Sequence, residues 1–212
     1  MKTAYLNRWR IIAMCAIALL LPSVGMAQSI SSKNGYANID WQFNAAIGNG
    51  FAENASGWGM NFEGGYYFTP NLGVGLFLSF HTNNEYIDMQ TLKLSSSAAL
   101  ATDQQHSLYQ LPFGLGVRYR FMPEKLFVPY VGMKVGPEYC RMTTYYNVYS
   151  SDRDIWGFYL SPEIGATIYP MKSKMFGFHV ALYYAYATNQ NHLLIYNFDG
   201  LNNIGFRLGV AF

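Results

Sequence analysis

The sequence predicts an all-β fold, an eight-stranded antiparallel up-and-down transmembrane β-barrel, on three observations. Hydrophobic residues make up 51% of the 212 residues and charged residues only 12%, about half the charged share of an average soluble domain. The mean hydropathy of +0.03 is too low for a bundle of membrane helices, because each such helix needs about 20 apolar residues in succession. From Tyr36 onward, apolar residues alternate with small or polar ones over eight segments. A period of two is that of a β-strand.

The N-terminus is typical of a secretory signal peptide. Three basic residues precede an apolar run at 11–21, and the small residues Gly25 and Ala27 stand before the cleavage point. We therefore predict a signal peptide at 1–27 and a barrel domain at 28–212. Without the three basic residues, the 11 remaining basic residues face 12 acidic ones, and the net charge falls from +2 to −1. A chain with this charge has no basic footprint for nucleic acid, so we expect no nucleic-acid partner.

Each of the eight segments has one apolar face without charged residues, and the opposite face carries Gly, polar and charged residues. A register slip of one residue would exchange these faces. The predicted strands are 37–47, 58–68, 72–81, 109–121, 127–139, 156–168, 176–186 and 203–212. The connections alternate between tight turns and longer polar loops, as in outer-membrane barrels. The tight turns are 69–71, 122–125 and 170–174, and the loops are 48–57, 82–105, 142–155 and 188–202.

Aromatic residues stand at both ends of the apolar faces, which favours a barrel in lipid over a secreted β-sandwich or a lipocalin-like barrel. Two aromatic belts match the two interfaces of a membrane. The expected belt near the long loops is Trp58, Phe80, Tyr109, Tyr139, Trp156, Tyr184 and Tyr186, and the belt near the short turns is Phe68, Tyr119, Phe121, Phe127, Phe176 and Phe212. The Gly-rich opposite face suits the narrow lumen of eight strands.

Charged residues on the inner faces are expected to form one layer in the lower or middle lumen. Buried charges need partners, so we predict a structural plug of ion pairs; an ion path or a catalytic group is the alternative. The predicted lumen charge network is Glu63, Arg118, Lys134, Glu138, Glu163 and Arg207.

Four prolines fall inside predicted strands, although proline cannot donate to a strand ladder; bulges are expected to absorb some of them. They are Pro112, Pro129, Pro137 and Pro162. No cofactor or metal site is expected. The four histidines lack ligand-like spacing, and no phosphate-binding loop is present.

Three stretches, 111–121, 128–132 and 205–212, resemble the OmpA-like transmembrane domain of small bacterial outer-membrane β-barrel proteins. The resemblance implies a place in the outer membrane of a Gram-negative bacterium, contact with lipid and lipopolysaccharide, and insertion by the barrel-assembly machinery. It also implies a C-terminal assembly signal, for which we name Phe206, Leu208, Val210 and Phe212. We expect a monomer.

For function, the sequence favours a non-enzymatic barrel with a structural or surface-interaction role. The long loop at 82–105 is the candidate for an extracellular ligand, because binding residues often lie on loops over a rigid scaffold. A small-solute pore is one alternative. A lipid A-modifying enzyme is another, which the adjacent positions of His106 and Ser107 disfavour because neighbouring strand residues face opposite ways.

Overall fold

Eight antiparallel strands close into a barrel in the computed structural model, which describes residues 34–93, 99–146, 149–171, 174–193 and 196–212. The signal peptide predicted at 1–27 lies outside the described residues. Each strand pairs with its neighbour in sequence, and β1 pairs with β8 to close the ring. The predicted fold class is therefore confirmed. The strands are β1 Gly35–Ile47, β2 Gly59–Tyr67, β3 Leu72–Lys93, β4 Ala99–Arg120, β5 Phe127–Tyr146, β6 Tyr149–Ile168, β7 Gly177–Leu193 and β8 Tyr196–Ala211.

The apolar faces point outward and the polar faces point into the lumen. On β1, Asp40 and Gln42 are fully buried inside, whereas Trp41 between them is 56% exposed on the outer wall. Leu76 and Leu182 are each 67% exposed on the outer surface of other strands. Burying such a surface requires an apolar medium rather than water. In the described part of the chain, no helix is long and apolar enough to cross a membrane.

Aromatic residues stand at both ends of the outer wall, as predicted. Trp58 and Trp156 are 79% and 63% exposed at the level where the longer connections begin. Near the short turns, Phe127 is paired with Ile168 at the end of the β5–β6 ladder, and Phe212 contacts Phe176 with ring centroids 5.9 Å apart. The wall thus has the two aromatic girdles of a membrane barrel.

Three of the four predicted loops are wrong, because the strands continue through them. β3 reaches Lys93 and β4 begins at Ala99, so most of 82–105 is a two-stranded ribbon. The segments 142–155 and 188–202 are likewise mostly strand. Above the membrane the outer face of a strand meets water instead of lipid and need not be apolar, so the apolar alternation ends although the hydrogen-bonded ladder continues. The inner face stays buried there, as the 1% exposure of Gln104 shows. Only 48–57 is the loop that the sequence predicts.

The prolines do not coincide with bulges, contrary to expectation; the ladder instead omits pairs and resumes in the same register. Pairing is interrupted beside Pro112 between β3 and β4, beside Pro137 between β4 and β5, and beside Pro162 between β6 and β7. Pro129 lies opposite Phe121, where β4 ends, and accepts a hydrogen bond from its N–H at 2.9 Å. Each proline therefore lies where the ladder has a gap or an end, so the missing donor displaces no strand.

A side chain compensates for one of these prolines. The Ser161 hydroxyl donates to the carbonyl oxygen of Tyr184 at 2.8 Å. Tyr184 is the residue of β7 that faces Pro162 in the register on either side of the gap. The hydroxyl therefore supplies a donor that proline cannot, which leaves this carbonyl paired inside a membrane wall.

Candidate functional site

Charged side chains from five strands meet inside the barrel. They are Glu63 on β2, Arg118 on β4, Lys134 on β5, Glu163 on β6 and Arg207 on β8. Their inward direction follows from the period of two, since each lies among the polar positions of its strand. All five side chains are at most 3% exposed. We refer to these five residues as the charge cluster.

Ion pairs link the charge cluster across the lumen. Lys134 Nζ lies 2.9 Å from Glu63 Oε2 and 3.0 Å from Glu163 Oε2, so one ammonium bridges two carboxylates. Arg118 Nη2 is 3.0 Å from Glu63 Oε1, and Arg207 Nη1 is 2.5 Å from Glu163 Oε2. A buried charge is costly unless it is paired, so each residue of the charge cluster stabilises the buried charge of its partners.

Aromatic rings and amides fill the space around the charge cluster. The guanidinium of Arg118 lies 3.9 Å above the ring centroid of Tyr130, and that of Arg207 lies 4.0 Å above Tyr183. The Arg207 Nε donates to Gln42 Oε1 at 2.8 Å. These stacked and bonded neighbours leave the arginine planes little freedom, and cation–π contact is strongest where water is excluded.

A second chain of polar contacts extends the charge cluster, and the predicted network did not include it. His179 Nδ1 lies 2.6 Å from Asp40 Oδ1, and His179 Nε2 lies 2.7 Å from the Tyr130 hydroxyl. That hydroxyl donates to Glu163 Oε1 at 3.1 Å. The signal in the sequence is the position of Asp40, Tyr130 and His179 on the polar faces of their segments. The spacing of the histidines in the sequence does not indicate these contacts.

Glu138, the sixth predicted member, is buried but does not join the charge cluster. Its exposure is 0%, and neither carboxylate oxygen has a hydrogen-bond partner among the described residues. On β5 it lies four residues from Lys134, toward the extracellular mouth, and it pairs with Pro112 and Gly157, neither of which offers a side-chain donor.

The loop 48–57 folds into the extracellular mouth of the lumen; we refer to it as the plug loop. Phe51 is 2% exposed and Ala52 is fully buried. Asn49 Oδ1 accepts hydrogen bonds from the N–H groups of both, at 2.8 and 3.0 Å. Phe51 belongs to a buried apolar cluster that includes inward-facing residues of the upper wall, among them Leu108, Cys140, Met142, Ala185, Ala187 and Leu201. No pattern in the sequence indicates this apolar closure.

His106 holds the plug loop. Its ring stacks on Phe51 with centroids 4.3 Å apart and planes 4° apart, and its Nδ1 lies 2.6 Å from the Phe51 carbonyl oxygen. Asn83 Nδ2 donates to the Asn54 carbonyl at 2.9 Å from the neighbouring strand. Burial, partly offset by the hydrogen bond to Phe51 and the nearby Glu85, holds the pKa of His106 below its usual value.

Above the barrel, polar residues of the ribbons pair at the surface. Arg141 Nε lies 2.7 Å from Asp154 Oδ1, and both side chains are about half exposed. The Tyr139 hydroxyl donates to the same carboxylate oxygen at 2.7 Å. On the β3–β4 ribbon, Tyr86 and Met89 are 62% and 76% exposed. Surface pairs of this kind contribute little to stability.

The described residues contain no group of three or more His, Cys, Asp or Glu side chains that could hold a metal ion. Three of the predicted C-terminal assembly residues, Phe206, Leu208 and Val210, lie on one face of β8, and Phe212 directly follows the strand. Phe206, Leu208 and Phe212 are 38%, 47% and 51% exposed on the outer wall, and Val210 lies in register between them.

The family model described as "Outer membrane protein beta-barrel domain" matches residues 16–212. Among curated proteins, no sequence matches significantly. Neisserial surface protein A is a similar solved structure, with 15% identity, a TM-score of 0.49, and coverage of 84% of this chain and 95% of that one. Ail, the attachment invasion locus protein of Yersinia pestis, in complex with the heparin analogue sucrose octasulfate, gives 14% identity, a TM-score of 0.46, and coverage of 84% and 99%.

The outer membrane protease OmpT of Escherichia coli gives 10% identity, a TM-score of 0.46, and coverage of 84% of this chain and 96% of that one. Similarity of this degree indicates nothing about what the present chain binds or does. The family match, in contrast, spans all eight strands of the barrel. The chain therefore belongs to the outer membrane protein β-barrel family and resides in the outer membrane of a Gram-negative bacterium.

Proposed function

We propose that this protein is a closed, non-enzymatic barrel with a structural or surface-interaction role, whose lumen the charge cluster and the plug loop block at two levels. The observation that carries this proposal is the pairing of Lys134 with both Glu63 and Glu163, at 2.9 and 3.0 Å, across the lumen. An eight-stranded barrel has room for little more than its own side chains. A solute would have to break these contacts in order to pass.

Conductance in a planar bilayer tests the closed lumen directly. Purified protein should give no steady channels at neutral pH. The double variant Glu63→Ala with Arg207→Ala removes charges of both signs, and it should raise the frequency of transient openings. Steady, reproducible channels in the unmodified protein that vanish in this variant would overturn the proposal and establish the solute pore.

The candidate binding surface is the β3–β4 ribbon, which takes the place of the predicted loop 82–105. A ribbon presents fixed side chains, and exposed Tyr86 and Met89 supply large contact areas. The Tyr86 hydroxyl donates to Asp103 Oδ2 at 3.1 Å across the ribbon, which orients the ring. We infer that an extracellular ligand contacts this ribbon.

Whole-cell binding tests this surface. Cells that display the full barrel are compared with cells in which the ribbon is shortened to the paired residues Glu85 and His106, joined by a two-residue turn, which removes Tyr86 and Met89. A matched control shortens the β7–β8 ribbon instead. Loss of binding to host cells or matrix only in the first variant supports the proposal, whereas equal binding by all three proteins contradicts it.

Two further parts of the proposal concern partners and chemistry. The outer wall contacts lipid and lipopolysaccharide, and the outward residues of β8 form the signal for the barrel-assembly machinery; Phe212→Ala should lower the yield of inserted protein. No lipid A-modifying activity is proposed, since buried His106 faces the lumen under the plug loop. Gain or loss of an acyl chain on labelled lipid A incubated with the protein would contradict this.

A further inference from the structure

Among the residues that the structure describes, Glu138 is the one lumen carboxylate without a charged partner. Asp40 contacts His179, while Glu63 and Glu163 contact the three cations of the charge cluster. Glu138 is fully buried, and both of its oxygens have no hydrogen-bond partner among the described residues. In this position the carboxyl group must either hold a proton or face a positive charge from outside the chain.

An irregularity in β7 brings another unpartnered oxygen to the same place. The pairing of β7 with β8 shifts by one residue between Ala187 and Gln190, which is the signature of a β-bulge. Asn189, inside this bulge, is fully buried, and its Oδ1 has no partner among the described residues. Its Nδ2 donates to the Ile155 carbonyl at 3.3 Å, so the amide is oriented with the oxygen free.

Gly157 shows how close the two side chains are. It pairs directly with Glu138 across β5 and β6, so a side chain at 157 would start about 5 Å from the Glu138 Cβ on the same face. Asn189 Oδ1 lies 2.3 Å from the point where that Cβ would be. The amide oxygen therefore occupies the place of the missing side chain, within reach of the Glu138 carboxylate. Only glycine at 157 leaves room for it.

From this arrangement we infer that Glu138 and Asn189 form a binding site for one hard monovalent cation, such as Na⁺, in the lumen between the charge cluster and the plug loop. All the donor atoms are oxygens, which hard cations prefer. One carboxylate with one neutral amide matches a single positive charge. A proton on Glu138 that joins one carboxylate oxygen to Asn189 is the alternative, and an infrared measurement of the carboxyl group separates it from a bound cation. A cation between the two side chains would contact all three oxygens.

The flanking residues are consistent with a small ligand. Gln110 on β4 and Tyr159 on β6 are the diagonal neighbours of Glu138 on the lumen face, and both are buried. The Gln110 Nε2 also lacks a partner among the described residues. Phe51 and Leu108 lie in the apolar layer above. The site is thus enclosed, so a cation bound there exchanges slowly.

Thermal unfolding tests the site. The protein is refolded and melted in detergent in LiCl, NaCl, KCl or N-methylglucamine chloride at equal ionic strength. At about one hundred times Kd, a bound cation should raise the midpoint by about 5–10 °C over N-methylglucamine. Glu138→Gln should abolish the difference, while the control Asp88→Asn, at an exposed carboxylate, should retain it. Should Glu138→Gln fail to fold, Asn189→Ala keeps the carboxylate and should lose at least half of the shift.

Two outcomes would overturn the inference. One is an equal midpoint in all four chlorides for the unmodified protein. The other is an infrared band of a protonated carboxyl group that is present in the unmodified protein in NaCl and absent from Glu138→Gln, because the carboxyl then holds a proton instead of a cation. Neither outcome bears on the closed lumen or on the β3–β4 ribbon, which are tested separately.

Discussion

The charge cluster and the plug loop fill the same lumen by opposite chemistry. In the half near the short turns, the cluster joins five strands through ion pairs of 2.5–3.0 Å. At the extracellular mouth, Phe51 and Ala52 of the plug loop fill the lumen with apolar side chains. A few hydrogen bonds, such as that between His106 and the Phe51 carbonyl, hold the loop in place. The ion pairs belong to the wall itself and can be removed only by disrupting it. The plug loop is a separate segment, which can move without breaking the ladder.

This difference in chemistry predicts whether a substitution destabilises the whole barrel or only one loop. A buried ion pair that loses one partner leaves an uncompensated charge in low dielectric, and the whole barrel bears that cost. A loop that loses a buried ring opens locally, because the strands beneath it keep their hydrogen bonds. Four substitutions or titrations test this contrast, from the largest expected effect to the smallest.

Glu163→Gln should have the largest effect. It removes the negative charge that Lys134 and Arg207 share, and breaking a buried pair typically costs about 3–5 kcal/mol. The free energy of unfolding from urea titration in detergent micelles measures this cost. The exposed Asp88→Asn serves as the control. A loss below about 1 kcal/mol would mean that the charge cluster is not what holds this half of the lumen.

Phe51→Ala should increase the population of the open plug loop without lowering the stability of the barrel strands. Burial of a phenylalanine side chain is worth about 1.5–3 kcal/mol, so the open loop should become roughly tenfold or more as populated. Cys140 reports on this opening, since its buried thiol packs in the same apolar layer. A maleimide should label it correspondingly faster, with an unfolding midpoint close to that of the unmodified protein.

Trp58→Ala, at the exposed outer girdle, is the matched control and should leave the labelling rate unchanged. If Phe51→Ala lowered the unfolding midpoint as much as Glu163→Gln did, the plug loop would be part of the cooperative wall. The distinction between the two closures would then fail.

The sequence predicted the charge cluster better than the plug loop, for a physical reason. Alternation with a period of two marks every inward position, so the inner faces identify Glu63 and Arg207 without a structure. The plug loop carries no period. Phe51 lies in a Gly-rich stretch, and it turns inward to contact His106, 55 residues away in the sequence.

Alternation also could not show which inward charges meet. Glu138 stands four residues from Lys134 on the same face of β5, yet the lumen partners of Lys134 come from β2 and β6. Strand tilt and stagger decide heights in a barrel, and a single sequence does not give them. The missed strand extensions at 82–105 have a related cause, because an outer face that meets water instead of lipid need not be apolar.

Titration of His106 should show a smaller effect of the plug loop. Because burial lowers its pKa, the ring should titrate below the usual value of about 6.5. His106 binds a proton more readily when the plug loop is open than when it is closed. The free energy of loop closure therefore becomes less favourable as pH falls below about 6.5. NMR of the His106 ring measures the pKa, which should rise toward the ordinary value in Phe51→Ala. An unchanged value in that variant would mean that Phe51 does not shield the ring.

Asp154→Asn should have the smallest effect, although its ion pair with Arg141 is as short as those of the charge cluster. Hydrogen bonds from Arg141 and Tyr139 lower the pKa of Asp154, so any stabilisation is present at neutral pH and lost as pH falls through that lowered value. Both partners are about half exposed, and water screens them. The unfolding midpoint at neutral pH should therefore match that of the unmodified protein. A loss comparable to that of Glu163→Gln would show that length of contact, and not burial, sets the contribution of an ion pair in this barrel.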